Sequence, residues 1–133
     1  TMLNVPLIIH LPGSGIKETI STTGGQIDFL PTMANIMGIS TGGEFILGQD
    51  LVNAKEGFVA FTTYLFEGSF ASGDIIFQIS REQIFSGSRA WYIGSGEEVD
   101  YSLYEEEYNR AILLKKMSKE ILEQDLIANY VNR

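Results

Sequence analysis

The chain has 133 residues, 44% of them hydrophobic, and carries 9 Lys and Arg against 17 Asp and Glu, so its formal net charge is −8. Length and apolar content suffice for a packed core and exclude a disordered, collagen-like or low-complexity chain. The acidic balance disfavours binding of nucleic acid or anionic lipid through bulk charge, and the lack of Cys excludes a disulfide framework, thiol catalysis and a Cys-ligated zinc site.

Residues 5–11 form the first predicted element, a short buried strand. The segment is a continuous run of β-branched residues and Leu closed by Pro12-Gly13, and such continuous apolarity is typical of a strand covered on both faces of a parallel sheet. A strand so near the first residue suggests a piece of a longer protein. Every apolar run is far shorter than the roughly 20 residues that span a bilayer, so the chain itself is predicted to be soluble.

A helix is predicted over residues 28–37, after a glycine-containing loop. Asp28 is expected to cap its N-terminus, although a pocket carboxylate is the alternative role. Pro31 fits the first turn, and Gly38 is expected to end the helix in the left-handed conformation. The residues at helical spacing, which predict its buried face, are Ile27, Leu30, Ala34 and Met37.

From residue 58 the pattern changes to short aromatic and β-branched runs punctuated by glycine. Such runs predict antiparallel strands joined by tight turns. The predicted strands are 58–65, 74–80, 83–85 and 90–93, and the predicted turns are 86–88 and 94–96.

The last third of the chain is predicted to be helical. Acidic residues 105–107 precede several lysines, which complements the helix dipole. Glu106 and Arg110 are predicted to pair one turn apart, and a short final helix is predicted from Asp125 to Tyr130. The predicted apolar stripe consists of Leu103, Ile112, Met117, Ile121 and Leu122.

These elements predict an α/β or α+β fold: one parallel-type strand plus a helix, then a small antiparallel sheet packed by a long C-terminal helix. Residues 1–57 are predicted to be a C-terminal piece of a larger α/β core. Residues 58–133 are predicted to form a subdomain of antiparallel sheet and covering helix.

No catalytic motif is found in the sequence. His10 is the only histidine, and neither a Gly-x-Ser-x-Gly motif nor a Walker A motif is present. The glycines at 13 and 15 begin like a dinucleotide loop, but Glu18 stands where the third glycine is needed. A lone histidine cannot anchor zinc. We therefore predict no catalytic residue and no metal ligand in this chain.

Three features have both a functional and a structural interpretation. His10, at the C-terminal end of the predicted strand, is the one candidate for binding a substrate phosphate or hydroxyl, although a hydrogen bond to neighbouring backbone is the favoured interpretation. Trp91 and Tyr92 either stack on a sugar or, as favoured, pack the sheet against the helix. The acidic run 97–107 either meets a cationic partner or, as favoured, is a solvated helix start.

The order of motifs resembles the sulfatase-like, alkaline phosphatase superfamily. Residues 5–13 (VPLIIHLPG) resemble a strand of that superfamily, and residues 25–32 (GQIDFLPT) resemble the helix start that follows it. The helix closes with residues 36–39 (IMGI), and residues 47–51 (LGQDL) resemble the next turn.

The downstream part narrows the resemblance to lipoteichoic acid synthases and related phosphoglycerol transferases. Residues 68–70 (GSF) and the strands after them resemble the small C-terminal sheet of those enzymes. Residues 118–127 (SKEILEQDLI), together with Tyr130, are similar to their closing helix.

The resemblance implies a membrane-anchored parent enzyme whose catalytic domain lies outside the cell. It implies a threonine nucleophile and bound manganese or magnesium, which transfer glycerol phosphate from phosphatidylglycerol to lipoteichoic acid. In that family the threonine and an Asp-His pair of metal ligands lie upstream of the VPLIIHLPG strand, and this sequence has no Asp-His dipeptide. The chain is thus expected to be scaffold without the catalytic centre. The alternatives are the C-terminal part of a sulfatase or phosphodiester hydrolase, and a non-enzymatic structural or binding module.

The expected partner is the remainder of the chain's own catalytic domain. A phospholipid or anionic polymer is the substrate implied for the parent, and no nucleic acid is expected. Alone, the chain is expected to expose an apolar edge or face and to form a homodimer through it.

Overall fold

The computed structural model describes residues 5–41, 46–62 and 65–124. Within these ranges the chain forms two α-helices, each preceded by a 3₁₀ turn, and five β-strands. The helices are α1 (Phe29–Ile36) and α2 (Glu105–Glu123), and the strands are β1 (Phe58–Ala60), β2 (Phe70–Ser72), β3 (Ile75–Gln78), β4 (Arg89–Tyr92) and β5 (Glu98–Val99). The predicted α+β architecture, a helix followed by an antiparallel sheet and a long covering helix, is confirmed.

The five strands form one antiparallel sheet in the order β1-β2-β3-β4-β5, so every strand pairs with its neighbours in sequence. The β2–β3 hairpin turns through Gly73 and Asp74, and Gly73 has the positive φ of 56° that tight hairpin turns favour. The predicted turn at Gly87 is also present, with a φ of 82°.

The core lies between one face of the sheet and α2. Phe70 and Phe77 are fully buried, and their rings stack with centroids 4.8 Å apart. The remaining members of this cluster are Phe58, Ile75, Ile79, Ala90 and, from α2, Ala111. Because side chains alternate along a strand, Val59, Ala71, Ile76, Trp91 and Glu98 belong to the opposite face, which we call the outer face.

The face of α2 that meets this core differs from the predicted stripe. Tyr108, Ala111 and Leu114 pack on the cluster, whereas Leu103 and Leu122 are 72% and 71% exposed. Tyr104 and Tyr108 also pack against the core cluster. They were not included in the predicted stripe because it was derived from the spacing of aliphatic residues and Met alone.

The predicted pair of Glu106 with Arg110 does not form among the described residues. The Arg110 guanidinium instead lies 4.2 Å from the centre of the Phe58 ring. A cation over a partly desolvated ring gains about 0.5–1 kcal/mol, more than a typical exposed ion pair on a helix. Further along α2, Lys115 pairs with Glu67 at 3.1 Å.

The end of α2 agrees with the predicted break. The helix stops at Glu123, and the N–H of Gln124 donates to the Glu120 carbonyl at 3.0 Å. The final helix predicted from Asp125 to Tyr130 lies outside the described residues.

Two strands were not predicted, and the predicted strand at 83–85 is wrong. β2 and β5 have three and two residues, too short to show an alternating pattern. Residues 81–85 instead form a loop in which Gln83 has a φ of 57°, outside the strand region. The loop is closed by the Ser80 hydroxyl, which donates to the Ile84 carbonyl at 2.8 Å.

The predicted strand at residues 5–11 is also not formed within the described chain. The segment belongs to no sheet, and Val5 and Ile8 are 79% and 86% exposed. A strand is defined by a neighbour whose N–H and C=O groups pair with its own. The described residues offer this segment no such neighbour, so its apolar side chains remain uncovered.

Candidate functional site

Asp28 braces the junction between α1 and the loop before β1. It is 2% exposed, and its carboxylate accepts hydrogen bonds from the N–H groups of Gly25 and Gln49, each at 2.8 Å. Asp28 is the N-cap residue of α1, as predicted, but it has helical dihedral angles and its side chain accepts no bond from the first turn of α1. Its carboxylate instead belongs to the capping box at the start of the preceding 3₁₀ turn, where it accepts from the N–H of Gly25. With one carboxylate oxygen on each N–H group, this side chain has a structural role rather than that of a pocket carboxylate.

Thr32 continues the same brace one turn later. Its hydroxyl donates to the Asp28 carbonyl at 2.6 Å and accepts from the N–H of Leu51 at 3.0 Å. The buried side chains of Asp28, just before α1, and of Thr32, within it, therefore hold the loop at 47–51 against the helix. This explains structurally why an acidic residue and a threonine stand in the DFLPT segment.

Close backbone contacts fix the region around residues 21–57 beside the sheet. The Thr23 hydroxyl donates to the Gly73 carbonyl at 2.6 Å. A side chain at Gly57 would lie 1.9 Å from the Thr23 carbonyl oxygen, and one at Gly48 would lie 2.0 Å from that of Ile27. These two glycines are needed for close approach of the backbone.

The predicted buried face of α1 is largely uncovered. Of the four residues assigned to it, only Ala34 is buried, and Ile27, Leu30 and Met37 are between 47% and 64% exposed. The predicted helix end is correct: Gly38 has a φ of 68°, and the N–H of Ile39 donates to the Ala34 carbonyl at 2.8 Å in a Schellman motif. The helix thus forms as predicted but presents its apolar residues outward.

An open apolar groove of about 250 Å³ lies between α1 and the end of α2. Its walls come from three segments of the chain. They are formed by Ile27 and Leu30, by Ile46 and Leu47, and by Ile121 and Leu122. Ile27 and Leu30, together with Val5, Leu7 and Ile8, give the first part of the chain a large exposed apolar surface.

His10 lies in the exposed segment before Pro12. Its ring makes no hydrogen bond to any described residue, so the favoured interpretation of a bond to neighbouring backbone is wrong. His10 remains a prediction as a substrate-binding residue.

Trp91 does not pack the sheet against α2. The register that pairs it with Ile76 and Glu98 places it on the outer face, where it borders an open depression of about 410 Å³ together with Gln78, Arg89, Gly96 and Glu98. The favoured interpretation is therefore wrong for Trp91, because it sits one position out of phase with the buried Ala90. The polar residues around it were missed because β5 was not predicted. Had the pairing of residues 89–92 with residues 98–99 been predicted, Glu98 would have been placed beside Trp91 on the same face of the sheet.

The acidic run 97–107 serves several local roles. Glu98 pairs with Arg89, and the carboxylate of Asp100 accepts from the N–H of Ser102 at 2.9 Å, which lowers the pKa of Asp100. Glu105, Glu106 and Glu107 occupy the first turn of α2, as expected for a solvated helix start.

Tyr104 is the second side chain with a shifted pKa. Burial raises the pKa of its hydroxyl, and the nearby charges of Tyr92, Asp74 and Glu107 raise it further. Tyr104 therefore stays neutral and packs against the core cluster.

The described residues contain no group of three or more His, Asp or Glu side chains placed to hold a metal ion. In the same part of the chain, no helix is long and apolar enough to cross a membrane. The geometry thus defines an α+β lobe with an uncovered apolar N-terminal part and a polar depression on its sheet.

Comparison with known proteins relates this lobe to one group of enzymes. No family model matches the chain. The chain is 37% identical over 75 residues, 55% of its length, to the lipoteichoic acid synthase-like protein YvgJ of Bacillus subtilis. Its fold matches the crystal structure of the lipoteichoic acid synthase LtaP from Listeria monocytogenes with a TM-score of 0.77 and 25% identity over 86% of this chain.

The chain is thus similar in sequence to part of a lipoteichoic acid synthase-like protein and in fold to part of a lipoteichoic acid synthase. The chain spans 12% of the length of YvgJ and 28% of that of the LtaP structure.

Proposed function

We propose that this chain is the C-terminal, non-catalytic part of a metal-dependent phosphoglycerol transferase that moves glycerol phosphate from phosphatidylglycerol to lipoteichoic acid outside the cell. The observation that carries the proposal is the uncovered apolar surface of residues 5–39, in a chain that matches 28% of the LtaP structure. Its role is to complete a larger α/β core whose remaining part holds the reacting groups.

The exposed segment at residues 5–11 is the first point of attachment. Val5, Leu7 and Ile8 are 79%, 57% and 86% exposed, and burying such side chains gives about 1.5–3 kcal/mol each. An extended apolar segment without a strand partner fits as an added strand of a sheet built by the rest of the protein.

The face of α1 is the second point of attachment. Leu30 and Met37 are 61% and 64% exposed although they stand at the spacing of a buried helix face. In a doubly wound α/β core, a helix covers one face of the parallel sheet with such residues. The brace formed by Asp28 and Thr32 holds α1 in a fixed position relative to the loop at 47–51, which suits a rigid lobe beside an active site.

Manganese or magnesium, the metal implied for the parent, does not fit the residues described here. These residues bring no cluster of three carboxylate or imidazole side chains together, so we derive no catalytic step for them. Bound to the rest of the protein, the metal would neutralise phosphate oxygens and activate the nucleophile.

The test compares the natural gene product with the 133-residue chain. We expect an intact mass far above that of this chain, and manganese-dependent release of diacylglycerol from phosphatidylglycerol by the complete protein only. In the complete protein, Val5→Lys combined with Ile8→Lys should abolish activity and lower the yield of folded protein, whereas Leu103→Lys, at a side chain that is 72% exposed, should leave both unchanged. A natural product that begins at Met2, or metal-dependent turnover by the chain alone, would overturn the proposal. Hydrolysis of aryl sulfates instead would favour a sulfatase.

A further inference from the structure

The outer face of the sheet carries a small open depression, which has no role in the proposed function. It is bordered by Gln78, Arg89, Trp91, Gly96 and Glu98, which we call the Trp91 platform. All five residues belong to β3, β4, β5 or the turn between the last two, so the hydrogen-bonded sheet fixes their relative positions. From this arrangement we infer that the Trp91 platform binds a carbohydrate, with one pyranose ring stacked on the indole of Trp91.

The indole supplies the apolar part of such a site. Trp91 is only partly buried, although it lies beside Ile76, which is 8% exposed. Side chains directly opposite on one face of a sheet lie close together, so Ile76 restricts the indole, and part of Trp91 lines the depression. The C–H groups on one face of a pyranose offer an apolar surface that matches a flat, rigid aromatic ring.

The polar neighbours supply hydrogen-bonding groups at the rim. Arg89 donates to Glu98 through Nε at 2.9 Å and also through Nη2, and both bonds end on the same oxygen, Oε1. The second carboxylate oxygen of Glu98 and the side-chain amide of Gln78 form no hydrogen bond to any described residue. An acceptor and an amide that both donates and accepts are therefore available to sugar hydroxyls.

The charge of the site disfavours an anionic ligand. The one cation, Arg89, is already paired with Glu98, and the chain has a net charge of −8. A phosphate would have to displace this carboxylate, whereas a neutral polyhydroxyl ligand can use the ion pair as it stands.

The turn beyond β4 leaves room for the ligand. Gly96 has a φ of 72°, and a Cβ atom built on it meets no atom within 4 Å. The depression, about 410 Å³, is open to solvent, so a ligand would lie on the Trp91 platform rather than be enclosed by it.

The experiment uses the single tryptophan of the chain as its probe. The ¹⁵N-labelled 133-residue chain is titrated with cellotetraose, maltotetraose and chitotetraose, and the one indole Nε1–H resonance is followed. We expect a saturable shift with at least one tetrasaccharide, with a Kd of about 1 mM or lower. Inorganic phosphate and glycerol phosphate should leave the resonance in place.

Variants locate the binding. By calorimetry, Trp91→Ala should weaken binding at least ~10-fold, as expected from the loss of one stacking contact, and Gln78→Ala should weaken it several-fold. Tyr92→Leu, the next residue of the same strand on the opposite face, is the matched control and should bind as the natural chain does. Backbone amide spectra check that each variant is folded.

Three results would overturn the inference. The first is an unshifted indole resonance with ~10 mM of every tetrasaccharide. The second is unchanged binding by folded Trp91→Ala. The third is an equal shift with the phosphate compounds, which would indicate an anion site. The inference does not rest on the proposed function, because the platform is built wholly from this chain.

Discussion

The Asp28 carboxylate joins two backbone segments that lie 21 positions apart. Its Oδ1 accepts a hydrogen bond from the N–H of Gln49 at 2.8 Å, while Oδ2 holds the N–H of Gly25. A side chain at the start of α1 therefore fixes the path of the loop that leads towards β1. The acidic residue of the DFLPT segment is explained by two backbone groups that have no other acceptor.

Substitution of this carboxylate should destabilise the chain strongly. Asp28→Ala leaves the N–H groups of Gly25 and Gln49 without their acceptor, and we expect a loss of about 2–4 kcal/mol in the free energy of unfolding, measured by urea denaturation. Asp50→Ala is the control, since Asp50 accepts bonds only within its own exposed turn and should cost less than about 1 kcal/mol. Equal losses for the two variants would contradict the brace.

The close approach at Gly57 makes a second prediction. An alanine methyl group there would lie 1.9 Å from the Thr23 carbonyl oxygen, so the backbone has to move apart. We expect Gly57→Ala to lower the free energy of unfolding by about 3 kcal/mol or more. Gly94→Ala, where nothing lies within 4 Å, should change it by less than about 0.5 kcal/mol. A Gly57→Ala chain as stable as the Gly94→Ala chain would show that residues 21–57 do not sit against the sheet as described.

The lowered pKa of Asp100 predicts an acid-sensitive start of α2. The N–H of Ser102 donates to the ionised carboxylate, so the pKa of Asp100 in the folded chain is below its ordinary value of 3.8. A lowered pKa means that the stabilisation is present above pH ~3.8 and is lost as the pH falls through the folded value. We expect Asp100→Asn to reduce the fall of the unfolding temperature between pH 5 and pH 2. Above pH 5 the variant should show the same dependence on pH as the natural chain. An unchanged slope at acidic pH would contradict it.

The uncovered apolar residues predict self-association of the isolated chain. At micromolar concentration we expect sedimentation to detect a dimer, because Val5 and Ile8 are 79% and 86% exposed. Val5→Lys combined with Ile8→Lys should shift the equilibrium to the monomer, whereas Lys116→Ala, a change on an exposed position of α2, should not. A natural chain that stays monomeric at all concentrations tested would contradict the prediction.

Local signals in the sequence predicted what local chemistry determines. Gly38 ended α1, and the acidic residues at 105–107 marked the first turn of α2, because such ends depend on neighbouring residues alone. Contacts between distant segments were not predictable in the same way. The sequence predicted that the Asp28 side chain caps α1. In the structure its two carboxylate oxygens accept hydrogen bonds from the N–H groups of Gly25 and of Gln49, which lies in a loop 21 positions along the chain.

The missed features of the sheet share one cause. β5 has two residues, and without it Glu98 has no assigned partner, so neither the Arg89–Glu98 pair nor the position of Trp91 could be derived. The strand predicted at residues 5–11 failed for the opposite reason. Its apolar pattern is typical of a strand inside a sheet, but a strand forms only when a neighbouring strand pairs with its backbone. The described residues supply no such neighbour.

The strictly sequential strand order gives this lobe a kinetic property. α2 returns to β1 and β2, the strands farthest from it in sequence, but each hairpin of the sheet closes over a short stretch of chain. Proteins rich in such local pairings fold faster than those that must first bring distant segments together. The sheet should thus form as an early folding unit, and α2 and any slower parallel core should dock onto it later.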